Sequence, residues 1–262
     1  MADSRAKKDG GIWETIKTVF WALIIAGIFR TLLFQPFWIP SGSMKDTLLI
    51  GDFLFVNKMA YGYSRYSCPF SICPISGRIF GSDPERGDVA VFRHPTRDVD
   101  FIKRVIGLPG DNVQMRDGIV YINDEPLPQT PTGIFTEPKL PQGPQKLMPR
   151  CANDPVPEGG ICEKPRFTEA LPNGSSHDVL NITDGWIADN TPVFTVPDGS
   201  YFMMGDNRDN SEDSRFDASV GGLGFVPAQY LIGRADRIMF SSAGRSLLYF
   251  WTWRPDRFFK AV

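Results

Sequence analysis

The sequence predicts a mainly β fold: an antiparallel β-sheet core, interrupted by a smaller inserted β/loop lobe and preceded by one N-terminal transmembrane helix. Three observations predict it. The 262 residues include 25 glycines, 22 prolines and 20 phenylalanines, a composition suited to short strands and many turns. Beyond residue 50 the apolar segments are short and β-like, with no long amphipathic helix and no repeat. Before residue 40 lies one long apolar run. At 42% hydrophobic and 22% charged the chain can bury a sizeable core, which excludes disorder as its main state. With 28 basic against 30 acidic residues, the net charge of −2 gives no reason to expect nucleic acid. Two histidines, His94 and His177, leave little room for a multi-histidine metal site.

The polar segment 1–17 carries Arg5, Lys7, Lys8 and Lys17. TVFWALIIAGIFRTLLFQPFWI (18–39) follows, and 22 helical residues reach about 33 Å, enough for a hydrocarbon core of about 30 Å. The anchor is placed at 18–38. Arg30 lies in its second half, where a long stem can snorkel to the interface. Pro36 ends the helix nearby, and Phe37 and Trp38 suit an interfacial belt. A cleaved signal peptide and a buried core helix compete with the anchor, but the small residues Ser41-Gly42-Ser43 come late for a cleavage site. Basic residues ahead of the anchor put the N-terminus in the cytoplasm and residues 39–262 outside.

Cysteine usage fits an oxidising compartment. Cys68 and Cys73 are spaced C-x4-C, Cys151 and Cys162 C-x10-C; neither matches common zinc sites. Four cysteines allow three connectivities, and local pairing (Cys68–Cys73, Cys151–Cys162) is expected over four free thiols.

DFLFVNKMAYGY, DVAVFRH, DFIKRVIGL and NVQMRDGIVYIND read as strands, with Asp117-Gly118 a hairpin signal. TPVFTV, SYFMMGD and LIGRADRIMF follow. Residues 126–175 hold 11 of the 22 prolines and two cysteines, which suggests a long loop or stapled insertion. The core is therefore discontinuous: 39–115 and 191–262, with a smaller lobe at 116–190. The C-terminal LLYFWTWRPDRFFKAV suits either a membrane surface or core packing.

Three blocks carry candidate chemistry. Ser41-Gly42-Ser43 follows the anchor directly, so Ser43 lies within about 18 Å of Trp38 by chain reach. A serine nucleophile needs a base, and neither histidine suits: His94 follows a strand and His177 sits in a polar NGSSHD loop. Lys103, flanked by Phe101, Ile102, Val105 and Ile106, is the alternative, if burial makes it neutral. Strand alternation sends Lys103 and Arg104 to opposite faces, so one can point inward while the other stays in water. The third block, GDNRDNSEDSR (205–215), lacks the Gly and Glu an EF-hand requires and reads as a hydrogen-bonded scaffold.

PSGSM (40–44), RGDVAVFRHP (86–95), DFIKRVIGLPGD (100–111) and GDNRDNSEDSR, in this order behind an N-terminal anchor, resemble the bacterial type I signal peptidases (leader peptidases). The resemblance covers the anchor and most of the core, and 126–175 only as a variable insertion. It implies a signal peptidase/LexA-like catalytic core and a membrane-bound serine endopeptidase that removes signal peptides from exported preproteins after small residues. Ser43 matches the family nucleophile and Lys103 its general base. Ser41 matches the hydroxyl that shares the oxyanion hole with the Ser43 N–H. Ser211 matches the serine that hydrogen-bonds and orients the lysine, and Asp213 and Arg215 a supporting ion pair. Phe37, Ile39, Pro40 and Ile102 fall where the family lines its shallow pockets. No cofactor or metal is implied; the partners are preproteins and the phospholipid membrane. The chain departs from the family's S-M-x-P-T at Asp46, which leaves local substrate preference open. The rival reading is a single-pass membrane protein whose non-catalytic β domain binds partners. A LexA-like self-cleaving protease would need a DNA-binding module, and none fits before Thr18.

Overall fold

Helix α1 spans Gly11–Leu32, earlier than the sequence places it, and none of its residues is buried. At about 1.5 Å per residue its 22 residues reach about 33 Å, long enough and apolar enough to cross a membrane. Residues 34–38 are not helical as the 18–38 span requires; they form strand β1 (Phe34–Trp38). Pro36 disfavours helix at Gln35 and lacks an N–H, and pairing with strand β2 (Asp52–Asn57) takes the remainder. This computed structural model describes residues 11–68, 71, 73–244 and 249–262. Arg5, Lys7 and Lys8 lie outside them, as do Leu247 and Leu248.

After β2 comes a small hairpin of β3 (Tyr63–Ser64) and β4 (Arg78–Ile79), and its intervening loop is bridged by Cys68–Cys73. Then follow β5 (Val89–Arg93), β6 (Asp100–Gly107), β7 (Asn112–Arg116), β8 (Ile119–Ile122) and β9 (Glu125–Pro126). Residue 116, where the smaller lobe is expected to begin, is the last residue of β7. The β7–β8 hairpin turns at Asp117-Gly118 with φ of 48° and 77°, the left-handed pair that a two-residue turn demands. The long strands β10 (Gln129–Pro138) and β11 (Ile161–Ala170) pair with each other, and β12 (Ser176–Leu180) pairs with β11. Cys151–Cys162 ties the connection to β11. The chain then returns through β13 (Phe194–Thr195), β14 (Ser200–Met204), β15 (Val226–Pro227) and β16 (Leu231–Ser241).

Seven strands form the main antiparallel sheet in the order β1-β2-β16-β5-β6-β14-β15. Period-two alternation buries both of its faces. In β5, Val89 and Val91 join a cluster with Ile39, Met44, Leu54 and Ile102, while Ala90 and Phe92 join another with Val105, Tyr201 and Met203. A third cluster joins Ile106 and Met204 to Val113, Val120 and Leu171 beyond the sheet. The C-terminal segment divides. Trp253 packs edge-on against Phe240 at 4.7 Å, whereas Phe250 and Trp251 stand exposed.

Candidate active site

Ser43 sits in the turn between β1 and β2, and apolar anchors fix that turn. Ile39 is fully buried and donates its N–H to the Asp52 carbonyl at 2.9 Å. Gly51 closes the exit by donating to the Ile39 carbonyl at 3.0 Å. Met44 and Leu48 bury in the same cluster, which leaves Ser43 only 7% exposed. The polar block after β14 reaches in from the sheet side. The Asn207 N–H donates to the Ser43 carbonyl (3.0 Å) and its side-chain amide to the Gly42 carbonyl (2.9 Å). The Thr47 hydroxyl donates to Asp206 at 2.5 Å.

Lys103 arrives from β6, 60 residues further along, and its Nζ lies 2.5 Å from Ser43 Oγ. Its amine also stands 5.5 Å from the centre of the Phe101 ring. Burial pulls its pKa from 10.5 to about 8; Asp213, Glu212 and Asp206 oppose the shift, and Arg215 adds to it. Such a lysine is partly neutral near physiological pH, and a neutral amine can accept the proton of a hydroxyl in contact with it.

Asp213 and Arg215 form a fully buried pair, with Nε to Oδ1 at 2.8 Å and Nη2 to Oδ2 at 2.9 Å. Burial pushes the Asp213 carboxyl up, but Arg215 outweighs it and holds it below its usual range. Asp213 also accepts the Gly205 N–H at 3.1 Å, so the pair braces the backbone beside Ser43. The hydrogen bond from Ser211 to Lys103 that the resemblance implies is not formed: the Ser211 Oγ is buried with no hydrogen-bond partner among the described residues. Ser41 is exposed at the rim, and the Ser43 N–H has no acceptor among the described residues. Pro40 is exposed, Ile39 and Ile102 are buried in one cluster, and Phe37 packs half-buried against it.

Two sequence expectations are corrected. Arg104 does turn to the face opposite Lys103, but that face is not water. It is buried on Asp206, with Nε to Oδ1 at 2.8 Å and Nη2 to Oδ2 at 2.7 Å. His177 is not in a polar loop; it lies buried on β12, 3.4 Å from Glu169 Oε1. Burial first, then Arg104, lowers its pKa to about 4, so it stays neutral. His94 is buried against Arg97 and the Phe101 ring.

Sequence reasoning missed four residues beside the turn. Lys45 is 4% exposed, and its Nζ donates to Glu137 at 2.5 Å and to Gln142 at 2.7 Å. Lys164 donates to the other Glu137 oxygen at 2.6 Å. Burial pushes the Glu137 carboxyl up, yet the two lysines outweigh it and hold it low. Burial also lowers Lys45 to about 8. No local pattern links residues 92 positions apart. Asp206 and Asn207 lie within GDNRDNSEDSR, but nothing in that pattern assigns them to the turn.

Residues 12–240 match the family model described as signal peptidase, peptidase S26. A signal peptidase I from Rickettsia typhi is 40% identical over 242 residues, covering 87% of this chain and 82% of that protein. One from Rickettsia canadensis is 41% identical over 235 residues, covering 86% and 79%. A solved signal peptidase I from Enterococcus faecalis is 25% identical and spans 58% of this chain and 97% of its own; its TM-score of 0.29 is too low to add to the comparison. The model match and these relatives extend across both the Ser43 turn and the Lys103 strand, and on them the chain belongs to the signal peptidase (peptidase S26) family.

Proposed function

We propose that this chain is a membrane-anchored serine endopeptidase that removes N-terminal signal peptides from exported preproteins, cleaving after small residues with Ser43 as nucleophile and Lys103 as general base. The observation that carries the reading is the 2.5 Å approach of Lys103 Nζ to Ser43 Oγ in a buried site. Neutral Lys103 takes the hydroxyl proton as Oγ attacks the scissile carbonyl. The Ser43 N–H and the Ser41 hydroxyl hold the oxyanion, a contribution usually worth a few kcal/mol. Protonated Lys103 then donates to the leaving amine, and neutral Lys103 activates the water that hydrolyses the acyl-enzyme.

Ser211 orients the amine during turnover. A buried hydroxyl without a partner is costly, and the lysine becomes a free donor when Oγ is acylated. Asp213 and Arg215 support the wall behind it. Phe37, Ile39, Pro40 and Ile102 line the substrate site. With Ile39 and Ile102 already packed in the core, only shallow apolar depth is left, which suits small side chains. The lobe 116–190 interrupts a catalytic core of 39–115 and 191–262. Helix α1 anchors the chain in the inner membrane with the N-terminus cytoplasmic and the catalytic core periplasmic, in contact with phospholipid.

The test is incubation of the full-length protein with a preprotein. Wild type releases the mature product, and a folded Ser43→Ala variant does not. Substantial turnover by that variant would remove Ser43 from the mechanism.

A further inference from the structure

The nucleophile turn is gripped from two sides. On the sheet side Asn207 and Asp206 hold Gly42, Ser43 and Thr47. On the other side stands the β10–β11 hairpin, and it holds the two residues that follow Met44. Lys45 is bound by Glu137 and Gln142, and Gln142 Nε2 donates to the same Glu137 oxygen at 2.7 Å. Asp46 accepts from Arg166 Nη1 at 3.0 Å. Glu137 lies opposite Cys162 in the β10–β11 register, and Cys162, Lys164 and Arg166 share one face of β11 by alternation. The face that meets the turn is thus stapled at one end by Cys151–Cys162.

The two contacts have opposite sense: cation to anion at 45, anion to cation at 46. Shifting the turn by one residue would bring Lys45 toward Arg166 in one direction or Asp46 toward Glu137 in the other, so the pattern accepts one register. Asp46 also stands where the family pattern has proline. A proline stiffens a turn through its own ring; an aspartate there needs an outside partner, and Arg166 is that partner.

We infer that Lys45 and Asp46 are positioning residues through which the β10–β11 hairpin sets Ser43 Oγ against Lys103. The inference rests on the proposed role of Ser43. A displacement of about 1 Å at a reacting atom costs on the order of a hundredfold in rate, so partial loosening should cost about tenfold.

The experiment uses the full-length protein in detergent micelles with a preprotein, and kcat and KM are read separately beside a thermal melt. Asp46→Arg and Arg166→Asp should each lower kcat about tenfold with KM within about twofold, and the double variant should recover most of the loss. This pair is part-exposed, so charge reversal does not bury an orphan charge. Lys45→Met should lower kcat similarly while still folding, because Glu137 keeps Lys164 as partner. Folded single variants with wild-type kcat, or a double variant no better than the singles, would overturn the positioning role. If Ser43→Ala stays inactive in the same assay, the nucleophile assignment survives that outcome; an active Ser43→Ala would instead sink the reading beneath it.

Discussion

Arg104 closes on Asp206 through two parallel bonds, one strand position away from Lys103 and on the opposite face of β6. The same guanidinium donates to the Gly87 carbonyl at 2.7 Å and to the Thr47 hydroxyl at 3.2 Å. Asp206 itself holds Thr47, so the Arg104 fork ends on the Ser43 turn. A lysine keeps the charge but cannot reproduce a planar fork. Arg104→Lys should therefore lower stability by about 1–3 kcal/mol and reduce turnover several-fold. Denaturant melts and kcat measured in parallel check this; wild-type values for both would show that the fork is dispensable.

The proton on Lys103 controls the second expectation. Its folded pKa of about 8 lies below the 10.5 of an ordinary lysine. The base form grows as pH rises, so kcat/KM should climb along a limb near 8 and level above it. Lys103→Arg should be inactive, because guanidinium does not deprotonate in proteins. A limb near 10, or an active Lys103→Arg protein, would point to another base.

Stability carries the same signature with a definite sign. Between about 8 and 10.5 the unfolded chain holds a proton at position 103 that the folded chain has lost, so the Lys103 contribution grows more favourable with pH. Below 8 the cost of burying its charge is fully present. Lys103→Met should thus be more stable than wild type at pH 6, by on the order of 3 kcal/mol, and the gain should shrink as pH rises past 8. Melts at pH 6 and pH 10 would refute this if the difference between the proteins did not change.

Gly205 lets the polar block pass close against the turn. A Cβ there would collide with the Ser211 side chain and lie 2.5 Å from the Ser43 carbonyl oxygen, a backbone atom that cannot step aside cheaply. Gly205→Ala should cost about 1–3 kcal/mol and reduce kcat on the order of a hundredfold by shifting Ser43. The check is single-turnover cleavage by protein shown to be folded.

The proposed orientation rests on Arg5, Lys7 and Lys8 ahead of α1. Protease added to spheroplasts should digest the catalytic core and spare a short N-terminal fragment. Protection of the core would reverse the topology and contradict a substrate on the outer face.

Strand periodicity and turn chemistry were legible without coordinates where they act locally. Asp117-Gly118 turns as its residue types require, and alternation separates Lys103 from Arg104. The error at Arg104 came from equating the opposite face with solvent, in a sheet buried on both faces. The apolar run 18–39 does not reveal that its final residues pair with β2, since Phe34 and Phe37 suit a strand as well as a bilayer. His177 looks like a loop residue among Asn, Gly and Ser, yet SHDVL forms β12 with His177, Val179 and Leu180 buried. Nothing between residues 45 and 137 announces their ion pair, because long-range electrostatics leaves no periodic trace.

One residue, Leu33, separates α1 from β1. Its carbonyl accepts the Lys58 N–H at 3.0 Å, and the Leu32 carbonyl accepts the Tyr63 hydroxyl at 2.6 Å. A swivel needs several free torsions, and this junction has almost none. With α1 in a bilayer, the helix would act on the sheet as a lever rather than a rope, and its tilt would set the height of Ser43 above the lipid. A thicker or thinner hydrocarbon layer changes that tilt. Cleavage rate should accordingly track acyl-chain length in vesicles of otherwise constant composition, which makes lipid thickness a physical input to turnover.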